Sequence, residues 1–215
     1  MSEQLLRQQM VETVLQLSST GLNRGASGNV GARCGAGFLV TPTGLPAEEI
    51  TSEDIVLMDF EGRWQGGRQP SSEWRFHCDI FAARQDVNTI IHTHSTFATT
   101  LACLGKDIPA FHYMIAAAGG NTIRCSPYAT FGTQQLSDFA LQALQDRKAC
   151  LLGNHGMIVV GNTLTKTLAL TVEVESLCEQ YWRTLQVGGA NLLPEDEMAL
   201  ILEKFKTYGQ SDKKA

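Results

Sequence analysis

The chain has 215 residues, of which 43% are hydrophobic and 18% charged, and its formal net charge is −5. That acidic balance argues against nucleic acid as the main partner, and neither a signal peptide nor an apolar run of transmembrane length is evident. Six scattered cysteines without C-x-x-C spacing favour reduced thiols, so we expect a soluble cytoplasmic protein that binds neither nucleic acid nor membrane.

The first half of the chain alternates between apolar runs and glycine-rich turns. Leu6, Met10 and Leu17 recur near a helical period, which predicts a helix that Gly21 ends. The elements predicted here are a helix over 3–20, a hairpin of strands 30–33 and 37–41, a turn over 41–44 and a strand over 55–59.

Helices and short strands alternate in the second half. The predicted elements are helices over 73–84, 95–104, 133–146, 164–186 and 194–208, and strands over 87–94, 122–125, 149–152 and 157–160. Periodicity leaves 111–121 undecided between helix and strand. This interleaving predicts one α/β domain over residues 1–210, with a mixed, largely antiparallel sheet flanked by helices, and a disordered tail over 211–215.

His92 and His94 stand at the end of the strand predicted over 87–94. Residues two apart in a strand point to the same face, so both imidazoles would project together, a pattern suited to a transition metal. The alternative is two ordinary polar residues where a strand ends. His155, in a glycine-flanked turn, and Glu73, at a helix start, complete a candidate site of three histidines and one carboxylate.

Three pairs of small residues flank predicted turns or a helix start. Hydroxyls and exposed backbone N–H groups at such places can hold a phosphate, although ordinary turn and N-cap chemistry is the alternative, with Ser72 as the N-cap. The pairs are Gly28-Asn29, Thr43-Gly44 and Ser71-Ser72.

Three further residues have both a functional and a structural interpretation. His77 lies four residues after Glu73 and could form a metal pair with it, but a buried structural histidine is the preferred interpretation. Tyr113 is either a packed aromatic or a proton donor near a metal. Arg24 is interpreted as a solvated side chain rather than an anion ligand.

These motifs together resemble the class II aldolase/adducin family. The stretches P-S-S-E-W-R-F-H from Pro70, P-A-F-H-Y-M-I-A-A-A-G-G-N from Pro109 and E-K-F-K-T-Y-G from Glu203 resemble its L-fuculose-1-phosphate aldolase branch. The resemblance extends to about Gln210. It implies a zinc-dependent enzyme that cleaves a ketose 1-phosphate into dihydroxyacetone phosphate and an aldehyde such as L-lactaldehyde. Cobalt or manganese is an alternative metal.

The resemblance also implies roles for individual residues. The implied metal ligands are Glu73, His92, His94 and His155; the catalytic side chains are Glu73, Tyr113 and Tyr208; the phosphate contacts are Gly28, Asn29, Thr43, Gly44, Ser71 and Ser72; and the aldehyde-side groups are Phe131 and Phe205. Tyr113 would reach the site of a neighbouring subunit in a homotetramer. Glu73 would leave the metal when substrate binds and then carry a proton to or from carbon.

One position departs from the family pattern. Ala26 stands where the first phosphate segment of the aldolases carries a hydroxyl residue, which bears on substrate affinity and identity rather than on reaction type. Related activities stay open: aldolases of 5-deoxy- or 5-methylthiopentulose 1-phosphates in nucleoside salvage, pentulose-phosphate 4-epimerases, dehydratases of methylthioribulose phosphate and a non-enzymatic adducin-like scaffold. No lysine stands out as a Schiff-base former.

Overall fold

A computed structural model describes residues 2–207 of the protein. Tyr208, the last residue predicted in the final helix, and the predicted tail 211–215 lie outside the described residues. None of the helices between residues 2 and 207 is long and apolar enough to cross a lipid bilayer.

Between residues 2 and 207, eight strands form one sheet. They are β1 (Asn29–Cys34), β2 (Gly37–Val40), β3 (Val56–Met58), β4 (Trp64–Gln65), β5 (Thr89–Thr93), β6 (Arg124–Ser126), β7 (Ala149–Leu152) and β8 (Gly156–Gly161). Their order across the sheet is β4-β3-β2-β1-β5-β8-β7-β6, and β6–β7 is the one parallel pair among them. The prediction of a mixed, largely antiparallel sheet is therefore confirmed.

Residues 2–207 also form six α-helices. They are α1 (Glu3–Ser19), α2 (Trp74–Ala83), α3 (Thr96–Ala102), α4 (Gln134–Ala143), α5 (Leu164–Gln186) and α6 (Glu195–Phe205). Short 3-10 helices span Ala47–Glu49 and Tyr113–Ala118. The second of these falls in the segment where hydrophobic periodicity could not choose between helix and strand.

The sheet buries both of its faces. Alternate residues of β8 separate accordingly: Ile158 and Val160 pack with α2 and α4, whereas Met157 and Val159 pack with α3 and α5. A third cluster packs α1 against β1, β2 and β5, on the face of these strands that points away from α2. The five-residue strand β5 is buried throughout, so a polar side chain on it must find its partners inside the protein.

The start of α2 differs from the capping arrangement considered for Ser72. Glu73, not Ser72, occupies the N-cap position, and its carboxylate makes no capping hydrogen bond. The helix therefore begins at Trp74, and the Glu73 side chain is available for other contacts.

Candidate metal centre and active site

His92 lies in the middle of the sheet. It pairs with Asn29 of β1 on one side and with Ile158 of β8 on the other, and it is fully buried. Its Nδ1 lies 2.8 Å from the carbonyl oxygen of Met157. Because a carbonyl can only accept, Nδ1 carries the proton, and the Nε2 lone pair points into the site.

His94 follows the end of β5, and its ring faces that of His92. The two Nε2 atoms are 3.0 Å apart. The backbone N–H of His94 donates to Asn23 Oδ1 at 3.3 Å, and any side chain at Gly28 would collide with Asn23. The glycine-rich segment before β1 thus holds the chain at His94, a role of Asn23 that no sequence pattern indicated.

His155 sits in the tight turn between β7 and β8. Asn154 before it has a φ of 53°, and a Cβ on Gly156 after it would collide with the carbonyl oxygen of Thr93. The turn can therefore approach the end of β5 closely only because residue 156 is glycine. His155 Nε2 lies 3.1 Å from Glu73 Oε1.

Glu73 places its carboxylate among these histidines. Oε2 lies 3.2 Å from His92 Nε2 and accepts a hydrogen bond of 2.9 Å from Asn29 Nδ2. Burial alone would raise the pKa of Glu73, but the imidazoles of His92 and His155 outweigh burial and hold that pKa well below its ordinary value. The group is therefore a carboxylate at neutral pH.

A metal ion fits this arrangement. The ligand atoms of Glu73, His92, His94 and His155 all lie within 4.8 Å of one another. Burial, together with the neighbouring His92 and His155, lowers the pKa of His94 to about 4, so its ring is neutral and able to coordinate. Glu73 Oε1, although buried, accepts no hydrogen bond of good geometry from residues 2–207, as expected for an oxygen whose partner is a cation.

A cavity of about 320 Å³ opens beside the metal cluster. All six residues predicted to contact phosphate line it: Gly28, Asn29, Thr43, Gly44, Ser71 and Ser72. The loops that carry them are tied together, because Ser71 N–H donates to the Thr41 carbonyl at 2.9 Å and Thr43 N–H to the Gln69 carbonyl at 3.1 Å. Segments far apart in sequence thus form one wall.

Ala26 and Ser27 also line the cavity. The Ser27 hydroxyl donates to the Arg24 carbonyl oxygen at 2.7 Å, so its proton is already engaged within the loop. Arg24 itself is exposed, in line with its interpretation as a solvated side chain.

The predicted aldehyde-side and catalytic residues are distributed unevenly. Phe131 lines the cavity and is 64% exposed, and Tyr128 and Ala129, which were given no predicted role, line it as well. Phe205 instead packs against the core under α3 and α5. Tyr113 is 51% exposed and lies outside this cavity, and Tyr208 lies beyond the described residues.

His77 does not join the metal cluster, as the preferred interpretation predicted. It is completely buried, and its Nε2 lies 2.6 Å from Asn29 Oδ1. Burial lowers the pKa of His77 to about 3, so this ring is neutral at physiological pH.

Comparison with known proteins assigns the chain to a family. Residues 8–182 match the model described as Class II Aldolase and Adducin N-terminal domain. The chain belongs to the class II aldolase and adducin family. Class II aldolases are metal-dependent carbon–carbon lyases, and the family members described next act on ketose 1-phosphates.

Two curated aldolases are particularly similar. The 5-methylthioribulose-1-phosphate/5-deoxyribulose-1-phosphate aldolase of Rhodospirillum rubrum is 56% identical, over 96% of this chain and 93% of its own length. The L-fuculose phosphate aldolase of Escherichia coli K12 is 47% identical, over 97% of this chain and 98% of its own length. A solved L-fuculose 1-phosphate aldolase superposes with a TM-score of 0.91 at 39% identity, covering 94% of this aldolase and 96% of its own chain.

Proposed function

We propose that this class II aldolase is zinc-dependent and cleaves the C3–C4 bond of 5-deoxy- and 5-methylthiopentulose 1-phosphates. The products would be dihydroxyacetone phosphate and acetaldehyde or methylthioacetaldehyde. L-Fuculose 1-phosphate, which would yield L-lactaldehyde, is the second candidate substrate because of the 47% identity to the E. coli enzyme. The observation that carries the first choice is the higher identity, 56%, to the R. rubrum protein.

Apolar side chains in the cavity lining favour a substrate whose C5 group is apolar. Phe131, Tyr128 and Ala129 line the cavity together with the hydroxyl-bearing Ser71 and Thr43. A C5 methyl or methylthio group loses less hydration on such a surface than a carbon that bears a hydroxyl. The phosphate would then occupy the wall of small polar residues.

The chemistry divides between the metal and two side chains. Bound zinc, held by His92, His94, His155 and Glu73, would supply Lewis-acid polarisation of the C2 carbonyl, so that the electron pair left on C3 can be delocalised. Glu73, displaced by substrate, would take up a proton from solvent and deliver it to C3 during cleavage, and as a carboxylate it would remove that proton during condensation. Its Asn29 hydrogen bond keeps the carboxylate beside the site.

As the aldehyde forms, Tyr113 would take the proton from the C4 hydroxyl while passing its own phenolic proton to solvent, and the reverse relay would operate during condensation. Because Tyr113 is half exposed and outside the cavity of its own chain, we propose that it serves a neighbouring subunit of a homotetramer. Mixing inactive Tyr113→Phe and Glu73→Gln proteins, after reversible dissociation, should restore activity through hybrid sites. Unrestored activity in verified mixed oligomers would contradict a shared site.

Substrate choice is tested by comparing kcat/KM for 5-deoxyribulose 1-phosphate, 5-methylthioribulose 1-phosphate and L-fuculose 1-phosphate. We expect the first two to exceed the third by about tenfold or more, a difference of about 1.4 kcal/mol. Release of free dihydroxyacetone phosphate separates aldolase from 4-epimerase and dehydratase activity. A preference for L-fuculose 1-phosphate would reverse the ranking and leave the reaction type intact.

We further propose that the enzyme works in the cytoplasm. The six cysteines are unpaired, which suits a reducing compartment. A fluorescent fusion found in the periplasm or medium would contradict this assignment.

A further inference from the structure

His77 and Asn29 form a buried connection to Glu73 from behind. His77 Nε2 lies 2.6 Å from Asn29 Oδ1, and Asn29 Nδ2 donates to Glu73 Oε2 at 2.9 Å. All three side chains are buried. The path runs from α2 to β1 and back to the residue at the start of α2, and it does not include the Met157 carbonyl that orients His92.

The protons on this path follow from the chemistry of its ends. Glu73 is a carboxylate and can only accept, so the Asn29 amide must turn its NH₂ group toward Glu73 and its oxygen toward His77. That oxygen needs a donor, which makes His77 the Nε2–H tautomer. If the amide were reversed, two oxygens would face each other in a buried site, which is unfavourable because neither could donate a hydrogen bond.

The other side of the His77 ring has a different environment. Nδ1 is buried without a hydrogen-bond partner among residues 2–207, and it lies over Gly31, where any Cβ would collide with it. An apolar side chain would leave no unpaired acceptor here. Histidine at this position is therefore hard to explain by packing alone and is explained by the proton that Nε2 gives to Asn29.

We infer that His77 is a positioning residue for the metal and proton-transfer site. Its Nε2–H fixes the orientation of the Asn29 amide, and that amide fixes the Glu73 carboxylate. Oε2 of Glu73 then accepts from Asn29, and Oε1 is directed toward His155. His77 touches neither metal nor substrate. This inference rests on the proposed role of Glu73, and it adds a residue on which that role depends.

Zinc affinity and proton exchange test the inference together. We compare wild type, His77→Met, which removes the donor, and His77→Gln, whose amide N–H can replace it. Zinc dissociation constants come from chelator competition, and Glu73 function from solvent exchange of the dihydroxyacetone phosphate C3 hydrogen. His77→Met should weaken zinc binding and slow exchange by about tenfold each, as is typical of losing a group that orients a ligand, and His77→Gln should restore both to within about threefold.

A double-mutant cycle with Glu73→Ala separates positioning from general damage. Without the carboxylate, His77→Met should cause no further loss of zinc affinity, because nothing remains for the amide to orient. Equal losses in both backgrounds, or failure of His77→Gln to restore affinity, would overturn the inference. If His77→Met does not fold, Asn29→Leu must give the same cycle.

The two hypotheses fail in distinguishable ways. A wild-type protein that turns over no ketose 1-phosphate contradicts the proposed function, while the zinc-affinity cycle still reports on His77. An active enzyme with an additive cycle contradicts only the role of His77. As a matched control, His112→Asn alters the remaining non-ligand histidine and should leave zinc affinity unchanged.

Discussion

Asn29 stands directly opposite His92 across the β1–β5 pair, and its amide also donates to the Glu73 carboxylate. Strand register thereby places a carboxylate-binding amide beside a metal-binding imidazole. A slip of one residue would turn Asn29 to the face covered by α1, so the hydrogen-bond ladder of the sheet determines the geometry of the site.

Gly31 is the next residue of β1 on the same face, and it leaves room for the His77 ring. Gly31→Ala should push that ring away from Asn29, lower stability by about 1–3 kcal/mol and slow dihydroxyacetone phosphate exchange. Urea unfolding and exchange rates measure the two effects. Gly67→Ala is the matched control, because a Cβ there meets nothing within 4 Å. Wild-type stability in Gly31→Ala would show that the space beneath His77 is not needed.

Metal binding should depend steeply on His94. His94→Ala removes one of three imidazoles, so zinc affinity should fall by more than the roughly 10–100-fold typical of losing an orienting partner, and aldol cleavage should fall with it. Elemental analysis after dialysis against a weak chelator measures the metal. Full occupancy in this variant would mean that the ion is held elsewhere.

One substitution should distinguish the role of Glu73 as a metal ligand from its role as a proton carrier. Glu73→Gln can still accept from Asn29, so we expect measurable zinc but a loss of about 10²–10⁴-fold in solvent exchange of the dihydroxyacetone phosphate C3 hydrogen. Proton NMR in deuterium oxide follows that exchange. Glu179→Gln, on the surface beside Arg183, serves as the control. Exchange at the wild-type rate in Glu73→Gln would assign the base to another group.

Ala26→Thr tests the altered phosphate segment. The Ser27 hydroxyl already donates within its loop, so it is a poor substitute, and a threonine at the cavity wall would add a free donor. A hydrogen bond to a charged group is worth about 1.5–3 kcal/mol, which should lower KM by about tenfold or more. Steady-state kinetics decide. An unchanged KM would show that the loop already compensates.

Asp54 should give the fold a defined acid sensitivity. Hydrogen bonds from Thr51 and Arg68 lower the pKa of Asp54 to about 2, and Arg68 lies just before the Ser71-Ser72 segment. A depressed folded pKa stabilises the protein fully above the unfolded value near 3.8, and that stabilisation is lost as pH falls through 2. Asp54→Asn should therefore melt below wild type at pH 7, and the gap should narrow between pH 4 and 2. A constant gap across that range would contradict the pKa assignment.

Much of this architecture follows from local sequence signals. Local spacing predicts that His92 and His94 share one face of a strand and that His155 lies in a Gly-flanked turn. The helical repeat of apolar residues likewise predicts α5. The three polar pairs were predicted to share one site, and they do line one cavity.

Other features depend on contacts between distant segments. The bonds from Asn29 to Glu73 and His77 exist because β1 pairs with β5 beneath α2, and no short motif encodes that pairing. For the same reason, the sequence did not predict that Asn23 accepts a hydrogen bond from His94 or that Tyr128 lines the cavity. Tyr113 shows a further limit, since its proposed partners lie on another chain.

The cavity wall of small polar residues has a consequence for binding. Among the lining residues that the structure describes there is no lysine or arginine, while Glu73 contributes a negative charge. A dianionic ketose phosphate entering the metal-free cavity would meet net repulsion, since hydroxyls and amides offset charge only in part. We therefore expect the sugar phosphate to bind more tightly once a cation offsets the charge of Glu73.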